Sequence, residues 1–201
     1  MKKTIARLLL PLLLLGLTAC GQAAPAAPEE QTAVQTAEAQ PASETQKTEA
    51  PPESDATPAP DFELPDQNGK TFRLTDYKGK IVLLNFWATW CPHCVEEMPA
   101  LQKLFEEQSA KDEPELILLG VAAPGYGKEL DAEGIGSFLR ENGITYPTLL
   151  DEGGSLFETY AVTAYPTTFV IGRDGAIFGY IPGALSEEML QKVVEQVLES
   201  A

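Results

Sequence analysis

The sequence contains little cysteine, little histidine and few basic side chains. Its 201 residues include three cysteines, one histidine and 14 lysines and arginines against 30 acidic residues, so the net charge is −16 at pH 7. So few cysteines exclude a scaffold held together by several disulfides. The acidic balance argues against nucleic-acid binding, because few basic side chains are present to neutralise phosphates.

Ligands for a structural zinc ion are also too few. Such a site takes four ligands, usually two cysteine pairs or one pair together with histidines. The close pair Cys91 and Cys94 is accompanied only by His93, which lies inside the motif itself. We therefore predict no metal site.

The sequence has no long apolar run. The apolar run Leu8–Leu17 spans about ten residues, whereas a membrane-spanning helix needs roughly 20. Basic residues precede this run and small residues follow it, which is the pattern of an export signal. The end of the run, LTAC, resembles a bacterial lipoprotein box, and the resemblance implies cleavage before Cys20 and a diacylglycerol on its thiol. We expect a lipoprotein signal over residues 1–20, with an ordinary secretory signal as the alternative.

Residues 21–60 contain no aromatic side chain and almost no large apolar one. A segment rich in Ala, Pro, Glu, Gln and Thr cannot bury enough surface to offset the entropy lost on ordering. We predict a disordered tether, which its prolines keep extended and which holds the following domain away from a membrane. An uncharacterised binding segment is the alternative.

Residues 61–201 have the composition of a folded α/β domain. The continuous apolar runs KIVLLNFWA and ELILLGVA predict strands that are buried on both faces. Shorter strands are expected around an Asn68-Gly69 turn, in YPTLLD and in a hairpin with an Arg-Asp-Gly turn. Helices are expected over Cys91–Ser109, GSLFETYA, Asp131–Glu141 and Glu187–Leu198. The elements predict a central mixed sheet flanked by helices, with a short N-terminal β extension and a small helical insert.

The motif Cys91-Pro92-His93-Cys94 follows a buried strand and opens a helix. The positive end of a helix stabilises a thiolate, so we expect Cys91 to face solvent as the nucleophile and Cys94, one turn further and more buried, to resolve the mixed disulfide. Pro92 at the first helical position costs no hydrogen bond. A c-type haem would require histidine where Val95 stands, and a passive disulfide would close too short a loop to stabilise much. Redox exchange is favoured, with this disulfide as the redox group and no cofactor.

The stretch NFWATWCPHCVEEMP, followed downstream by AYPTTFVI, resembles the thioredoxin fold. More narrowly it resembles the TlpA/ResA-like membrane-tethered thiol–disulfide oxidoreductases, over roughly residues 60–201. The resemblance implies that Pro166 is a cis-proline facing the disulfide and that Tyr165 offers its backbone to a substrate strand. Trp90 flanks the cysteines, and we expect it to cover them and to add apolar contact to partners in the substrate groove; a plain core role is the alternative.

Two further residues gain a meaning from this resemblance. Glu97 matches an acidic residue that the subfamily keeps near its cysteines, and it could accept or relay the proton that Cys94 must lose. The alternative is an acid in the first turn, favoured by the helix dipole alone. Asn85 occupies the place where ordinary thioredoxins bury an aspartate that accepts protons, which makes Glu97 a more plausible substitute.

The direction of electron flow is the open question. A protonated His93 beside Cys91 would stabilise the thiolate and make the disulfide more oxidising, and Cys-Pro-His-Cys is also the pattern of DsbA oxidases. Alternatively, His93 is an exposed residue that the fold tolerates. TlpA/ResA-like relatives instead reduce apocytochrome c or recycle methionine sulfoxide reductase, with electrons from a membrane partner of the CcdA/DsbD kind. The insert Gly125–Gly143 is also too small for the helical insert of DsbA.

We therefore predict an extracytoplasmic thiol–disulfide reductase that acts on exported proteins. We expect a monomer, lipid-anchored at the outer face of the cell membrane or facing the periplasm. A DsbA-like oxidase is the main alternative. A peroxiredoxin-like peroxidase shares the fold and the opening DFxLxDxxGK pattern but places its cysteine in another motif. A tethered module that binds partners without catalysing a reaction is the non-enzymatic alternative.

Overall fold

The structure is a computed structural model and describes residues 57–200 of the chain. The predicted signal with Cys20, and the predicted tether up to residue 56, lie outside the described residues. Within residues 57–200, no helix has both the length and the apolar character needed to cross a membrane.

The described chain begins against the sheet. Pro58 forms an isolated bridge with Ala176, and the Ala59 N–H donates to the Gly175 carbonyl over 3.0 Å. The Pro60 carbonyl accepts a hydrogen bond from the Tyr160 hydroxyl at 2.8 Å. The last four residues of the predicted tether therefore pack on the folded domain.

The N-terminal β extension is a hairpin of β1 (Glu63–Pro65) and β2 (Thr71–Arg73), paired antiparallel. Its turn contains the predicted glycine, Gly69, at a φ of 81°, which a residue with a side chain rarely adopts. A 3₁₀ helix over Leu74–Tyr77 follows, which the sequence pattern did not predict.

Five strands form the central mixed sheet. In chain order they are β3 (Ile81–Phe86), β4 (Leu116–Ala122), β5 (Thr148–Leu150), β6 (Thr167–Ile171) and β7 (Ile177–Pro182). Their spatial order is β5-β4-β3-β6-β7, with β3 parallel to β4 and antiparallel to β6. All six residues of β3 are buried, as its continuous apolar run predicts, because strands flank it and side chains cover both faces.

Four helices flank this sheet: α1 (Pro92–Ser109), α2 (Ala132–Glu141), α3 (Ser155–Thr159) and α4 (Glu187–Ser200). These bounds agree with the predicted helices to within two residues. The Asp131 carboxylate caps α2 by accepting from the Gly134 N–H at 2.8 Å. One face of the sheet packs on α1 and α4, and the other carries a cluster of aromatic rings that includes Phe86, Phe157 and Phe169. The predicted α/β fold, with a mixed sheet and a helical insert between β4 and β5, is confirmed.

Candidate active site

The two cysteines lie where the central strand passes into the longest helix. Cys91 is the N-cap of α1, in an extended conformation, and Pro92 takes the first helical position as predicted. Cys91 and Cys94 form a disulfide with their Cα atoms 5.3 Å apart. The Cys91 Sγ also accepts a hydrogen bond from the Cys94 N–H at 3.2 Å. The helix terminus therefore directs an N–H donor at the Cys91 sulfur, an arrangement that would stabilise a thiolate there.

The prediction that Cys91 faces solvent is wrong for this oxidised state. Cys91 is 5% exposed and Cys94 is 0% exposed. The Cys91 side chain turns onto the helix to bond with Cys94, and both residues join the core cluster under α1. Cys91 remains the more exposed of the two residues.

The cis-proline geometry implied by the family resemblance is present. The Tyr165–Pro166 peptide bond is cis, directly before β6. The Pro166 carbonyl accepts from the Gly183 N–H at 2.8 Å. The Trp90 ring lies edge-on to Tyr165, with ring centroids 5.5 Å apart, and remains 48% exposed. Trp90 therefore offers an apolar surface at the edge of the site, whereas Trp87 is a core residue.

Glu97 is a buried carboxyl one turn beyond Cys94 on α1, only 2% exposed. Its Oε1 accepts from the Asn85 side-chain amide at 2.8 Å, and its Oε2 accepts from the Leu185 backbone N–H at 2.9 Å. The Asn85 amide also donates to the Thr168 hydroxyl at 3.0 Å. This network ties α1 to β3, to β6 and to the segment after β7.

Burial raises the pKa of Glu97 above its ordinary value, and the hydrogen bonds from Leu185 and Asn85 oppose this shift without cancelling it. A carboxyl in this setting holds its proton at a higher pH than an exposed one. The Asn85 amide orients this carboxyl through its hydrogen bond but does not itself titrate.

His93 points away from the core. Its side chain is 72% exposed, and its Nδ1 lies 3.0 Å from the Glu96 carboxylate. A protonated His93 is thus partly neutralised by a neighbour on its own helix. His93 is therefore solvent-exposed, as the alternative prediction for this residue stated.

Glu129 is a site residue that the sequence reasoning missed. Its carboxylate accepts hydrogen bonds from the Thr89 backbone N–H at 2.8 Å, from the Thr89 hydroxyl and from the Leu130 N–H at 2.7 Å. Thr89 lies two residues before Cys91, so the start of the insert holds the active-site loop. No local signal marks Glu129, because its partner Thr89 is 40 positions away.

A cleft of about 290 Å³ lies beside this loop. Glu129 is among the lining residues, together with five aromatic side chains: Trp87, Trp90, Tyr126, Phe157 and Tyr165. Among residues 57–200, no group of three or more His, Cys, Asp or Glu side chains is arranged to hold a metal ion.

A thioredoxin-like fold with a Cys-x-x-Cys disulfide at the start of the helix after its central strand defines a class, the thiol–disulfide oxidoreductases. Comparison with known proteins agrees. The model of the AhpC/TSA family matches residues 56–178. Thiol-disulfide oxidoreductase ResA from Bacillus thuringiensis subsp. konkukian is 34% identical over 139 residues, which cover 69% of this chain and 76% of that protein.

Two solved structures support the same assignment. The pneumococcal exposed lipoprotein thioredoxin Etrx1 from Streptococcus pneumoniae superposes with a TM-score of 0.58 at 34% identity, covering 68% of this chain and 99% of that one. StoA from Bacillus subtilis gives a TM-score of 0.58 at 27% identity, covering 69% and 98%. The chain therefore belongs to the AhpC/TSA family and, within the thioredoxin superfamily, to its ResA/TlpA-like thiol–disulfide oxidoreductases.

Proposed function

We propose that the protein is an extracytoplasmic thiol–disulfide reductase that uses Cys91 as its nucleophile. The observation that carries this proposal is the position of Cys91: it caps α1, its sulfur accepts a hydrogen bond from the Cys94 N–H, and it is the more exposed residue of the pair. An attacking thiol needs both thiolate stabilisation and access to its substrate. The Cys91–Cys94 couple is the only redox group required, so no cofactor is proposed.

The reaction balances in two exchanges. The Cys91 thiolate attacks one sulfur of a substrate disulfide, and the other substrate sulfur leaves as a thiolate. Cys94 then loses its proton and attacks the Cys91 sulfur, so the second substrate thiolate is released and the protein is oxidised by two electrons. A dithiol donor in the membrane, of the CcdA/DsbD kind, returns those electrons.

Glu97 is proposed as the group that handles the proton of Cys94. It lies one turn along α1 from that cysteine, and its raised pKa lets it hold a proton closer to neutral pH. Trp90, Tyr165 and Pro166 are proposed to contact the substrate segment that carries the disulfide.

We also propose an anchored location. Residues 1–20 would be the lipoprotein signal, with the lipid on Cys20, and the tether that follows would hold the domain off the membrane. The sequence pattern supports this location, and the similar pneumococcal protein is described as an exposed lipoprotein. Substrates would be disulfides of exported proteins, such as apocytochrome c or methionine sulfoxide reductase, and the protein would act as a monomer.

A DsbA-like thiol oxidase is the second candidate, and the residue that favours it is His93 within Cys-Pro-His-Cys. An imidazolium near Cys91 would stabilise the reduced form and make the disulfide a stronger oxidant. The contact of His93 with the Glu96 carboxylate argues against a strong effect, because the negative charge offsets the imidazolium. This observation favours the reductase.

Trapping of mixed disulfides tests the assignment of the nucleophile. Cys94→Ser should accumulate adducts with disulfide-containing exported proteins, because the resolving thiol is missing. Cys91→Ser is the matched control and should form none. Adducts that form through Cys94 in the control would overturn the roles.

The same variants also distinguish the remaining two alternatives, a binding module and a peroxidase. A tethered binding module would keep its affinity for partners in Cys91→Ser, whereas the proposed enzyme loses all exchange. A peroxidase would consume hydrogen peroxide with an added thiol reductant at a rate that depends on Cys91. The proposal expects disulfide exchange to be much faster than peroxide turnover.

A further inference from the structure

An apolar groove of about 350 Å³ runs between α1 and α4. Two rows of side chains line it, one on each helix, and within each row the residues are four positions apart. The rows are Ala100, Leu104 and Gln108 on α1, and Leu190, Val194 and Leu198 on α4. Leu104 and Leu190 are buried, whereas Val194 and Leu198 are only partly buried. The groove therefore leaves apolar surface open to solvent.

The charges around this groove are mostly negative. Within residues 57–200, its lining contains four glutamates and one basic residue, Lys103. The Lys103 ammonium is already bound to the Glu187 carboxylate at the start of α4. Glu195 and Glu199 form no ion pair with any described residue. The groove thus combines an apolar floor with negative charge that no cation of the domain neutralises.

Glu195 and Glu199 also lie at the unfavourable end of their helix. The C-terminus of an α-helix carries partial negative charge, so carboxylates there are destabilising and basic side chains are stabilising. The last turn of α4 contains Glu199 and no basic residue. A local cost of this kind is expected where a surface has a further role. A bound cation would offset both the carboxylates and the helix terminus.

A third helix fits between the two rows, because residues four positions apart form the ridges that interdigitate when helices pack. Helices with one apolar face bind to grooves of this kind. Basic side chains beside that apolar face would meet Glu195 and Glu199. We propose that the α1–α4 groove docks a helix of a partner protein that is apolar along one face and carries lysine or arginine beside it.

The charge of the chain argues against other occupants. A second copy would bring the same glutamates against one another in a two-fold contact. The net charge of −16 already opposes self-association. An anionic membrane surface would be repelled in the same way. A cationic helix is instead attracted by these charges.

The groove is separate from the redox site. On α1, Cys91 and Lys103 are twelve positions apart, which corresponds to about 18 Å along the helix. A partner docked in the groove therefore does not cover the disulfide. The docking site goes beyond the proposed reductase activity and does not depend on the direction of electron flow.

Titration of the isotopically labelled full chain with a synthetic peptide, followed by nuclear magnetic resonance, tests the docking site. The probe is an amphipathic helix with leucines along one face and lysines along the other, and the matched peptide carries glutamates in place of the lysines. We expect saturable shift changes at the amides of Leu104, Leu190, Val194 and Leu198 with the lysine peptide and none with the glutamate peptide. The affinity should fall as the salt concentration rises, because the charges are exposed.

A double variant, Glu195→Gln with Glu199→Gln, tests the charge complementarity. It should bind the lysine peptide about fivefold more weakly, because two exposed ion pairs are lost. Glu133→Gln with Glu141→Gln on α2 removes the same charge outside the groove and should bind as the parent does. Neutral side chains relieve the repulsion at the end of α4, so the α4 double variant should stay folded, which urea denaturation checks.

Shift changes confined to the groove, with a loss of affinity only in the α4 double variant, support the proposal. It is overturned if the shift changes centre on the cleft beside the disulfide or scatter over the acidic surface. It also fails if the α2 control loses as much affinity as the α4 double variant. A dimer in sedimentation velocity that the α4 double variant abolishes would make a second copy the occupant and would overturn it as well.

Discussion

The side-chain amide of Asn85 donates to the carboxylate of Glu97 across 2.8 Å. This bond joins the strand before the redox motif to the helix that carries it. Both residues are almost fully buried, so the carboxyl keeps a defined place one turn from Cys94. The pairing makes Glu97, and not residue 85, the buried group whose protonation responds to pH.

The pH dependence of stability should reveal this carboxyl. The pKa of Glu97 is raised above 4.5 in the folded protein, so the folded state binds the proton more tightly than the unfolded state does. Its contribution to the free energy of unfolding is therefore complete below the unfolded pKa and is lost as pH rises through the folded pKa. Relative to Glu97→Gln, the parent should lose stability as pH rises from about 4.5.

Urea unfolding of both proteins between pH 4 and 8 checks this sign. Glu106→Gln, on the exposed side of α1, is the matched control and should follow the parent across the range. A parent that gains stability over Glu97→Gln as pH rises would contradict the burial argument.

Asn85→Asp should destabilise the protein at neutral pH. The change replaces the amide donor with a second carboxylate beside Glu97, so two buried acids compete for one proton. We expect a loss of about 3 kcal/mol in the free energy of unfolding at pH 7, which shrinks as pH falls to 5 and the pair binds a proton. Chemical denaturation at the two pH values measures it. An equal loss at both values would exclude charge repulsion as the cause.

Local patterns predict most of the fold, and the reasons are visible in particular elements. The run at Ile81–Phe86 is apolar without alternation because β3 is covered on both faces, and Asp131 marks a helix start because its side chain caps α2. The 3₁₀ helix after β2 escapes such reasoning, since a four-residue turn has no periodicity to detect.

Glu129→Gln should loosen the active-site loop. The carboxylate accepts two hydrogen bonds from Thr89, and a neutral amide accepts them more weakly. We expect a loss of about 1–2 kcal/mol in the free energy of unfolding and faster hydrogen exchange at the Thr89 amide. Glu141→Gln, an exposed acid at the end of α2, should change neither quantity. Unchanged exchange at Thr89 would show that the loop does not depend on Glu129.

Gly120→Ala should destabilise the protein although it adds only one methyl group. The new Cβ would come within 3.1 Å of three buried side chains from other elements, which must shift. Overpacking of this kind costs about 1–3 kcal/mol. Gly179→Ala on β7 is the matched control, because nothing lies within 4 Å of its added Cβ. Thermal unfolding of both variants should show a drop only for Gly120→Ala.

The site itself was only partly predictable. The cysteine pair and Pro166 stand out because their spacing and flanking residues form a recognisable pattern. The partner of the Glu97 Oε2 is a backbone N–H at Leu185, and backbone donors leave no trace in residue identity. The burial of Cys91 was mispredicted because the helix start alone suggests a side chain that faces solvent. The disulfide instead turns the Cys91 sulfur towards Cys94 and the helix.

The reduction potential of the Cys91–Cys94 couple, equilibrated against glutathione and dithiothreitol buffers at pH 7, tests the proposed reductase most directly. We predict a potential of about −270 mV or lower, at the reducing end of the range where thioredoxin lies. A potential of about −120 mV would contradict it, because His93 would then dominate the thiolate and the protein would form disulfides in exported proteins.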